Sequence, residues 1–258
     1  MMRETVSYNT ENNSRLGAAA EYVAARLSSE NSDTPLICAD VGADHAYLSI
    51  YLAESRICRR VYATEINKAP CEKAKVNIKN RRPIEVLCED GSKTSVPLSE
   101  IVTVHNVDGL DTMENRMINR IVICGMGGEV ISGILERAPF VKDGRIKLVL
   151  QPMSREFELR SYLAKNGFSI IDEKLVSDAG RVYAVIAAVW DGKVREFSPS
   201  ELILGKKIIE CGGEFFRSLL MRKLIHAKNR MRDSSRTEFD ERLFGELKVL
   251  CDREHIEV

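Results

Sequence analysis

The chain has 258 residues, in which 38 Lys and Arg balance 38 Asp and Glu, and 44% of the positions are hydrophobic. This length supports a full core and leaves room for a small appendage beside one domain of roughly 150–200 residues. No run reaches the ~20 apolar residues that a membrane span needs, and residues 1–13 lack the apolar stretch of a signal peptide. We therefore expect a soluble, cytoplasmic protein. The zero net charge by itself argues against nucleic acid as a partner.

The seven cysteines are scattered along the chain, with no CxxC pair and no neighbouring histidine at the spacing of a metal site. A disulfide framework or a zinc site is therefore not expected, and we predict no bound metal. Most of the cysteines should be small buried hydrophobic residues.

The first helix is predicted over 14–27, where apolar side chains recur every three or four positions and Ser14 can cap the amino end. From residue 36 onward, short β-rich runs alternate with segments of helical period, which predicts an α/β fold with a parallel sheet covered on both faces. The strand-like runs are 36–41, 61–66, 101–107, 121–124, 148–151, 169–176 and 182–190. The helix-like segments between them are 46–55, 70–80, 129–138 and 154–166.

Two stretches depart from this simple alternation. The last two strand-like runs are separated only by 177–181, which contains turn-forming residues, so we expect them to form an antiparallel hairpin that closes the sheet. The stretch 81–100 contains a strand-like 84–87 and then 89–95, which resembles an exposed loop. We interpret 81–100 as a surface insertion without catalytic consequence.

The C-terminal region has a different pattern. Apolar stripes at helical spacing run over 209–231 and 239–250, with a short polar link between them. They predict an antiparallel helical hairpin, in which the two glycines at 212–213 weaken the first helix and mark either a kink or a close helix contact. We therefore divide the chain into a main domain, 1–192, and a helical hairpin, 193–258.

The first predicted strand ends in a tight turn that contains Asp40 and Gly42 and leads into a helix. Such turns at the carboxyl edge of a parallel sheet form nucleotide-cofactor sites. A dinucleotide site would need GxGxxG, and the single glycine here leaves little room for a pyrophosphate. An acid at position 40 instead suits a cofactor with a cationic amino-acid tail.

The second predicted strand ends at an acid, Glu65, which lies about 20 residues beyond the first turn, as the ribose-binding acid does in nucleotide-binding sheets. A carboxylate there can accept hydrogen bonds from both ribose hydroxyls. Asp40 and Glu65 together indicate S-adenosylmethionine. Either acid alone could equally be a solvated turn residue.

Five short strings resemble one family in order and context. At these strings the chain is similar to the bacterial tRNA adenine-22 N1-methyltransferases. The combination of DxGxDHAYL and GMGG is the part of the resemblance that is specific to this family. The resemblance implies a class I, Rossmann-like methyltransferase with a seven-stranded sheet and a coiled-coil-like C-terminal hairpin that contacts tRNA. It also implies S-adenosylmethionine as cofactor and methylation of N1 of adenine 22. The strings are SRL at 14–16, DVGADHAYL at 40–48, DGL at 108–110, GMGG at 125–128 and LQP at 150–152.

The resemblance also implies which residues bind the cofactor. The turn after the first strand matches the methionine end, the acid after the second strand matches the ribose contact, and Asp108 matches the adenine contact. The GMGG segment matches a loop that closes over the methyl donor and the target base. The expected cofactor-binding residues are Arg15, Asp40, Gly42, Glu65, Asp108, Gly109, Gly125 and Met126.

The same resemblance implies that Asp44 is the catalytic residue. A fixed carboxylate there would stabilise the positive charge that adenine gains on methylation at N1. The alternative is that Asp44 only caps the helix that starts near Ala46. The expected substrate-binding residues are His45, Tyr47, Gly127, Gly128, Gln151, Pro152, Lys223, Lys228 and Arg230.

Three features differ from the family pattern. Met153 stands where the family usually has Asn, residues 68–70 replace a usual Gly-Pro pair, and 81–100 is longer than the family's connection. The insertion also carries an acid before Gly91 that competes with Asp108 as the adenine contact. We prefer Asp108, because it follows the better strand and lies at the usual distance before GMGG.

The zero net charge hides an uneven distribution. Residues 206–236 carry nine Lys and Arg against three Asp and Glu. A charged helix is usually a solvated face. Here the cations border an apolar stripe next to a predicted base-modifying site, so we expect this arm to follow tRNA phosphates, with binding that weakens as salt rises.

Two other functions remain open from the sequence. The same fold could methylate another RNA adenine or a small metabolite. The chain could also be a non-enzymatic RNA-binding module with a relic pocket. No feature indicates an obligate protein partner.

Overall fold

The structure is a computed structural model that describes residues 14–87 and 91–256. No helix in these two ranges is long and apolar enough to cross a membrane. The helices are α1 (Arg15–Ala24), α2 (Tyr47–Glu54), α3 (Lys68–Lys79), α4 (Leu98–Ile101), α5 (Gly128–Glu136), α6 (Glu156–Lys165), α7 (Pro199–Leu204), α8 (Lys206–Cys211), α9 (Glu214–Arg230) and α10 (Glu238–Arg253), with a 3-10 turn at Pro139–Val141. The strands are β1 (Ile37–Val41), β2 (Arg60–Thr64), β3 (Ile84–Leu87), β4 (Lys93–Val96), β5 (Val102–His105), β6 (Arg120–Gly127), β7 (Lys147–Ser154), β8 (Phe168–Asp178) and β9 (Arg181–Trp190).

Seven strands form the main sheet, in the order β5-β2-β1-β6-β7-β9-β8. The first five in this order are parallel, and β9 is antiparallel to both of its neighbours. The predicted α/β fold, a parallel sheet closed by an antiparallel hairpin, is confirmed. Because the chain moves outward from β1 to β2 and β5 before it returns to β6, the strand order reverses between β1 and β6.

A hydrophobic layer covers each face of the sheet. Along β6, Val122 packs with α1, α2 and α3, whereas Ile121 and Ile123 pack with α5 and α6 on the other face. Burial on both faces explains why the strand-like runs are almost wholly apolar. α1 begins where the sequence predicts, because the Ser14 hydroxyl accepts a hydrogen bond from the Gly17 N–H at 3.0 Å.

The 81–100 stretch contains a small sheet of its own. β3 pairs with β4 in an antiparallel arrangement, apart from the main sheet. The strand predicted at 84–87 is confirmed, but the loop predicted over 89–95 is wrong at 93–95, which belong to β4. The side chains of β4 are mostly exposed and polar, so its extended conformation depends on pairing with β3 rather than on burial. Residues 88–90 lie outside the described part of the chain.

The helix predicted over 209–231 is interrupted. Gly212 and Gly213 adopt φ values of +67° and +101°, which end a helix and suit glycine. The pair therefore separates α8 from α9 rather than kinking one helix. α10 begins at a capping box in which Thr237 accepts from the Asp240 N–H at 3.3 Å and donates its own N–H to the Asp240 carboxylate at 2.8 Å.

The C-terminal helices share a hydrophobic core with the edge of the sheet. Leu175 of β8 and Ala184 of β9 pack with the buried side chains of α9 and α10. Arg160 Nε also donates to Glu173 Oε1 at 2.7 Å, and the same guanidinium reaches the carbonyls of residues 202–204 at the end of α7. The division at residue 192 stays a prediction, since this core contains residues from both sides of it.

Candidate active site

A cavity of about 660 Å³ opens at the carboxyl edge of the main sheet. It lies over the ends of β1, β2 and β6 and beside the segment that follows β5, at the position where the strand order reverses. Open α/β sheets bind ligands at this position. Six of the expected cofactor-binding residues line the cavity: Gly42, Glu65, Asp108, Gly109, Gly125 and Met126.

Gly42 shapes the turn after β1. The N–H groups of Gly42 and Ala43 donate to the Thr64 carbonyl at 2.8 and 3.0 Å, which holds the turn against the end of β2. Gly42 has φ +69°, and a Cβ atom there would lie 2.1 Å from the Met126 methyl group. A larger residue would therefore strain the backbone and displace Met126 from the cavity wall.

Asp40 lies beneath this turn, and it does not line the cavity. Its side chain is buried and accepts a hydrogen bond from the Ser49 hydroxyl on α2 at 2.6 Å. Burial raises the pKa of the Asp40 carboxyl to about 6, although its hydrogen bonds with Ser49 favour the ionised form. Asp40 thus joins β1 to α2. This placement differs from the expectation that it touches the cationic tail of the cofactor.

Glu65 is a buried carboxylate at the end of β2 that faces the cavity. Oε1 accepts from the Asn67 N–H at 2.8 Å, and Oε2 accepts from the Asp44 N–H at 3.3 Å. These two donors fix the carboxylate, and each oxygen keeps the capacity to accept another hydrogen bond. The geometry therefore fits the two hydroxyls of a ribose.

Asp108 and Gly109 follow β5 and form a further part of the cavity wall. Asp108 Oδ2 accepts from Arg137 Nη2 at 3.2 Å, and both side chains are about half exposed. The Gly109 carbonyl accepts from the Thr64 hydroxyl at 2.7 Å, and a Cβ atom at 109 would lie 3.0 Å from Ile134 on α5. The positive φ of +55° and this close approach both favour glycine.

The GMGG segment is the end of a strand. β6 continues through Gly127 with an irregular register against β7, and α5 starts at Gly128. The predicted loop at 125–128 is therefore wrong in conformation. Gly128 is buried, and a Cβ atom there would lie 2.1 Å from the Arg155 carbonyl oxygen. This glycine allows α5 to pack closely on the segment after β7, and its expected contact with substrate stays a prediction.

Gln151 lies behind the Gly125 segment and is fully buried. Its Oε1 accepts from the Gly125 N–H at 3.1 Å, and its Nε2 donates to the carbonyl of the buried Pro152 at 2.8 Å. Arg15 donates to the same Oε1 at 3.4 Å and pairs with Asp178 at 2.6 Å. Arg15 and Gln151 therefore support the cavity wall from behind, and their expected contacts with cofactor and substrate stay predictions.

Asp44 and His45 lie on the turn before α2, and Tyr47 is the first residue of that helix. The Asp44 carboxylate is 64% exposed and lies 3.7 Å from His45 Nε2. The His45 and Tyr47 rings stack with their centroids 5.2 Å apart. The N-cap of α2 is Ala46, with no side-chain cap hydrogen bond, so the alternative that Asp44 caps this helix is wrong. Its carboxylate stays accessible to a substrate.

Comparison with known proteins decides the family. The family model TrmK, described as tRNA (adenine(22)-N(1))-methyltransferase, matches residues 38–243. The chain belongs to this family. The tRNA (adenine(22)-N(1))-methyltransferase of Bacillus subtilis is 27% identical to it over 243 residues, which cover 93% of this chain and 92% of the relative.

Two solved structures share the fold. One is a candidate tRNA (m1A22) methyltransferase of Streptococcus pneumoniae in complex with S-adenosyl-L-methionine, with a TM-score of 0.69, 25% identity, and coverage of 92% of this chain and 97% of that chain. The other is a protein of the NADB-Rossmann superfamily from Streptococcus agalactiae, with a TM-score of 0.70, 26% identity, and coverage of 92% and 95%. The predicted methyltransferase fold is thus confirmed.

The cavity of this TrmK-family protein fits S-adenosylmethionine. Ile66 and Val130 line it and are 60% and 55% exposed, so they offer apolar surface to an adenine ring. Glu65 supplies acceptors for the ribose hydroxyls.

Sequence reasoning missed the cavity residues on α5. Glu129, Gly133 and Arg137 recur every fourth position, and Val130 and Ile134 form an adjacent row. This spacing places them on one face of a helix. Because α5 follows directly from a strand that ends at the cavity, the helical period alone could have identified that face.

The described cysteines carry no chemistry at this site. Cys124 lines the cavity, but burial and the nearby Asp40 raise the pKa of its thiol well above the ordinary value, so it stays neutral. Cys38, Cys58 and Cys71 are buried, as predicted.

The arm of the TrmK-family chain expected to bind tRNA is less basic than its sequence indicates. Arg230 pairs with Asp233 at 2.6 Å and with Asp240 at 3.5 Å, so it fixes the turn between α9 and α10 and is not free to bind a phosphate. Five of the nine cations in 206–236 form ion pairs: Lys206, Lys207, Arg217, Arg230 and Arg236. Within the part of the chain that the structure describes, four have no carboxylate partner: Arg222, Lys223, Lys228 and Arg232.

Proposed function

We propose that the protein transfers the methyl group of S-adenosylmethionine to N1 of adenine 22 in tRNA. The proposal rests on the cavity at the carboxyl edge of the sheet, which fits the cofactor in a chain of the tRNA (adenine(22)-N(1))-methyltransferase family. Because tRNA is the proposed substrate, we also propose a cytoplasmic location.

The reaction is a single displacement at the methyl carbon. The N1 lone pair forms the new N–C bond as the C–S bond breaks, so the sulfonium becomes a neutral thioether and the adenine becomes a cation. No proton has to move for this step. The main contribution of the protein is to hold N1, carbon and sulfur in line at a near-attack distance of roughly 3 Å.

We assign Asp44 to stabilising the charge on the methylated adenine. Its N–H contacts Glu65 at the cavity, while its carboxylate is exposed to substrate. A carboxylate fixed near N1 and the exocyclic amine contributes roughly 10²–10³-fold in rate, as other fixed charges in active sites do. The stacked His45 and Tyr47 beside it offer a surface for the target base, and Gly127 at the start of α5 stays a predicted substrate contact.

A primer-extension assay tests the proposed reaction. Transfer RNA incubated with the protein and S-adenosylmethionine should give a reverse-transcription stop at adenine 22, since a base methylated at N1 cannot form its Watson–Crick pair. The control omits S-adenosylmethionine. Full-length extension with folded protein contradicts the proposal, and a stop at a different adenine assigns the enzyme to another RNA site.

A further inference from the structure

A second cavity, of about 570 Å³, lies at the amino edge of the main sheet. It is lined by residues that precede β1, by the start of β2 and the loop before it, and by the β3–β4 hairpin. A strand of five residues is about 17 Å long, so this cavity is separate from the cofactor cavity at the other edge.

Three arginines converge on this second cavity. Arg56, Arg59 and Arg60 all line it, and all are exposed. In the described ranges, none of the three has a carboxylate partner. A fourth, Arg26, braces a neighbouring loop through hydrogen bonds to two backbone carbonyls. Unpaired guanidinium groups are suited to bind phosphate, because their planar N–H groups match two phosphate oxygens at once.

Arg56 occupies a backbone position that usually belongs to glycine. It follows α2 with φ +57°, and its N–H donates to the Ala53 carbonyl at 2.9 Å. The next N–H, of Ile57, donates to the Leu52 carbonyl, also at 2.9 Å. This is the Schellman pattern, whose left-handed residue is most often glycine. Arg56 therefore carries backbone strain that glycine at this position would relieve.

Apolar side chains line the second cavity together with three acids, Asp33, Glu85 and Glu100. Ile57, Ile84 and Val86 line it, and Val86 is partly exposed on β3. A concave site with apolar walls and a few convergent charges is typical of small-molecule binding, and this volume falls within the usual range of about 300–1,000 Å³.

We propose that this second cavity binds a phosphorylated small molecule of nucleotide type, with its phosphates on Arg56, Arg59 and Arg60 and its ring against the apolar side chains of β3. Asp33 and Glu100 also line the cavity and can accept hydrogen bonds from hydroxyl or amino groups of such a ligand. The described residues of β3, β4 and α4, none of which lines the cofactor cavity, then provide one wall of a binding site. The proposal does not depend on methyl transfer.

Calorimetry on the full chain tests this site. ATP and GTP are titrated into the protein while saturating S-adenosylhomocysteine blocks the cofactor cavity. We expect both nucleotides to bind the wild type, and Arg56→Gly to weaken binding at least about tenfold, because the variant removes a charge-assisted hydrogen bond. The same variant should melt about 2–4 °C higher, since glycine relieves the left-handed strain. The control Arg242→Gln, on the exposed surface of α10, should leave nucleotide affinity unchanged.

A second variant, Arg59→Gln with Arg60→Gln, should weaken binding without the gain in melting temperature. The proposal is overturned if ATP or GTP fails to bind the wild type. It is also overturned if the arginine variants bind these nucleotides as tightly as the wild type does. It is also overturned if nucleotides do not bind while Arg56→Gly lowers tRNA affinity, since the arginines would then contact RNA. The primer-extension stop tests methylation separately, so the two proposals can fail independently.

Discussion

Asp40 couples the stability of the protein to pH. The pKa of its carboxyl is about 6 in the folded protein and 3.8 ordinarily, because burial favours the neutral form. A group whose pKa is raised on folding stabilises the fold fully below its unfolded pKa, and this stabilisation is lost as pH rises through the folded pKa. At neutral pH the buried Asp40 carboxylate therefore lowers the free energy of unfolding.

We predict that Asp40→Asn shows this dependence directly. Between pH 5 and pH 7.5, the free energy of unfolding of the variant should rise relative to wild type by about 1.4 kcal/mol, since one pH unit separates pH 5 from the folded pKa. Urea denaturation at the two pH values measures the difference. The exposed Asp111→Asn serves as the control. A constant difference at both pH values would show that Asp40 does not titrate in this range.

Substitutions at Asp44 and Glu65 should affect turnover and cofactor binding differently. We predict that Asp44→Ala lowers kcat about 10²–10³-fold, because the charge on the methylated base is left without its partner. The Kd for S-adenosylmethionine should change little, since the Asp44 side chain does not line the cavity. Glu65→Gln should instead mainly raise that Kd, because Glu65 faces the cavity. Equal losses of turnover and affinity in Asp44→Ala would indicate a binding role.

At the scale of the elements, one buried ion pair joins the sheet to the C-terminal helices. Arg160 on α6 and Glu173 on β8 are each about 1% exposed. Arg160 also donates to the last carbonyls of α7, and Glu173 accepts from the Lys207 N–H at the start of α8 at 3.4 Å. A Cβ atom at Gly205 would lie 2.7 Å from Glu173, so the chain passes close to the pair.

We predict that Arg160→Met lowers the free energy of unfolding by about 3–5 kcal/mol, because Glu173 is then a buried charge without a partner. Adding Glu173→Leu should recover most of the loss, since the remaining buried charge is removed. Chemical denaturation of both variants measures the two values. If Arg160→Met alone were as stable as the wild type, the result would contradict the burial of this pair.

At the scale of the whole molecule, the helical hairpin is not an independent part. Leu175 and Ala184 of the sheet belong to its core, so deletion of the hairpin would expose apolar surface of the main domain. A test of its role in tRNA binding must therefore change surface charge and leave the packing intact.

We predict that combining Arg222→Gln, Lys223→Gln and Lys228→Gln weakens tRNA binding and reduces its salt dependence. The slope of log K against log salt should fall by about 0.7–0.9 for each phosphate that the variant no longer neutralises. Binding titrations at several salt concentrations measure it, and affinity for S-adenosylmethionine should not change. Arg230→Gln is the matched control, since its guanidinium is already paired and should not alter the slope. An unchanged slope in the triple variant would place the tRNA interface elsewhere on the protein.

The sequence by itself determined what depends on local pattern. Residue periodicity identified the strands of the main sheet and most of the helices, because burial on two faces imposes apolar runs and an amphipathic helix repeats every 3.6 residues. It missed the exposed β4, which lacks such a run. The glycine turn at Gly42 and the acid at Glu65 were found because each follows a recognisable strand. The interruption of the hairpin helix was harder to place, since a glycine pair is compatible with a kink as well as a break.

The tertiary structure decided what depends on residues far apart in the chain. Only folding places Arg137 against Asp108, encloses the Arg160–Glu173 pair, and brings Arg217 of the arm to Glu254 at the end of α10. It also brings Gln151 to the Gly125 N–H behind the cavity wall. These pairings join separate elements, and no local period or spacing encodes them, because a side chain's partner is fixed by packing in three dimensions.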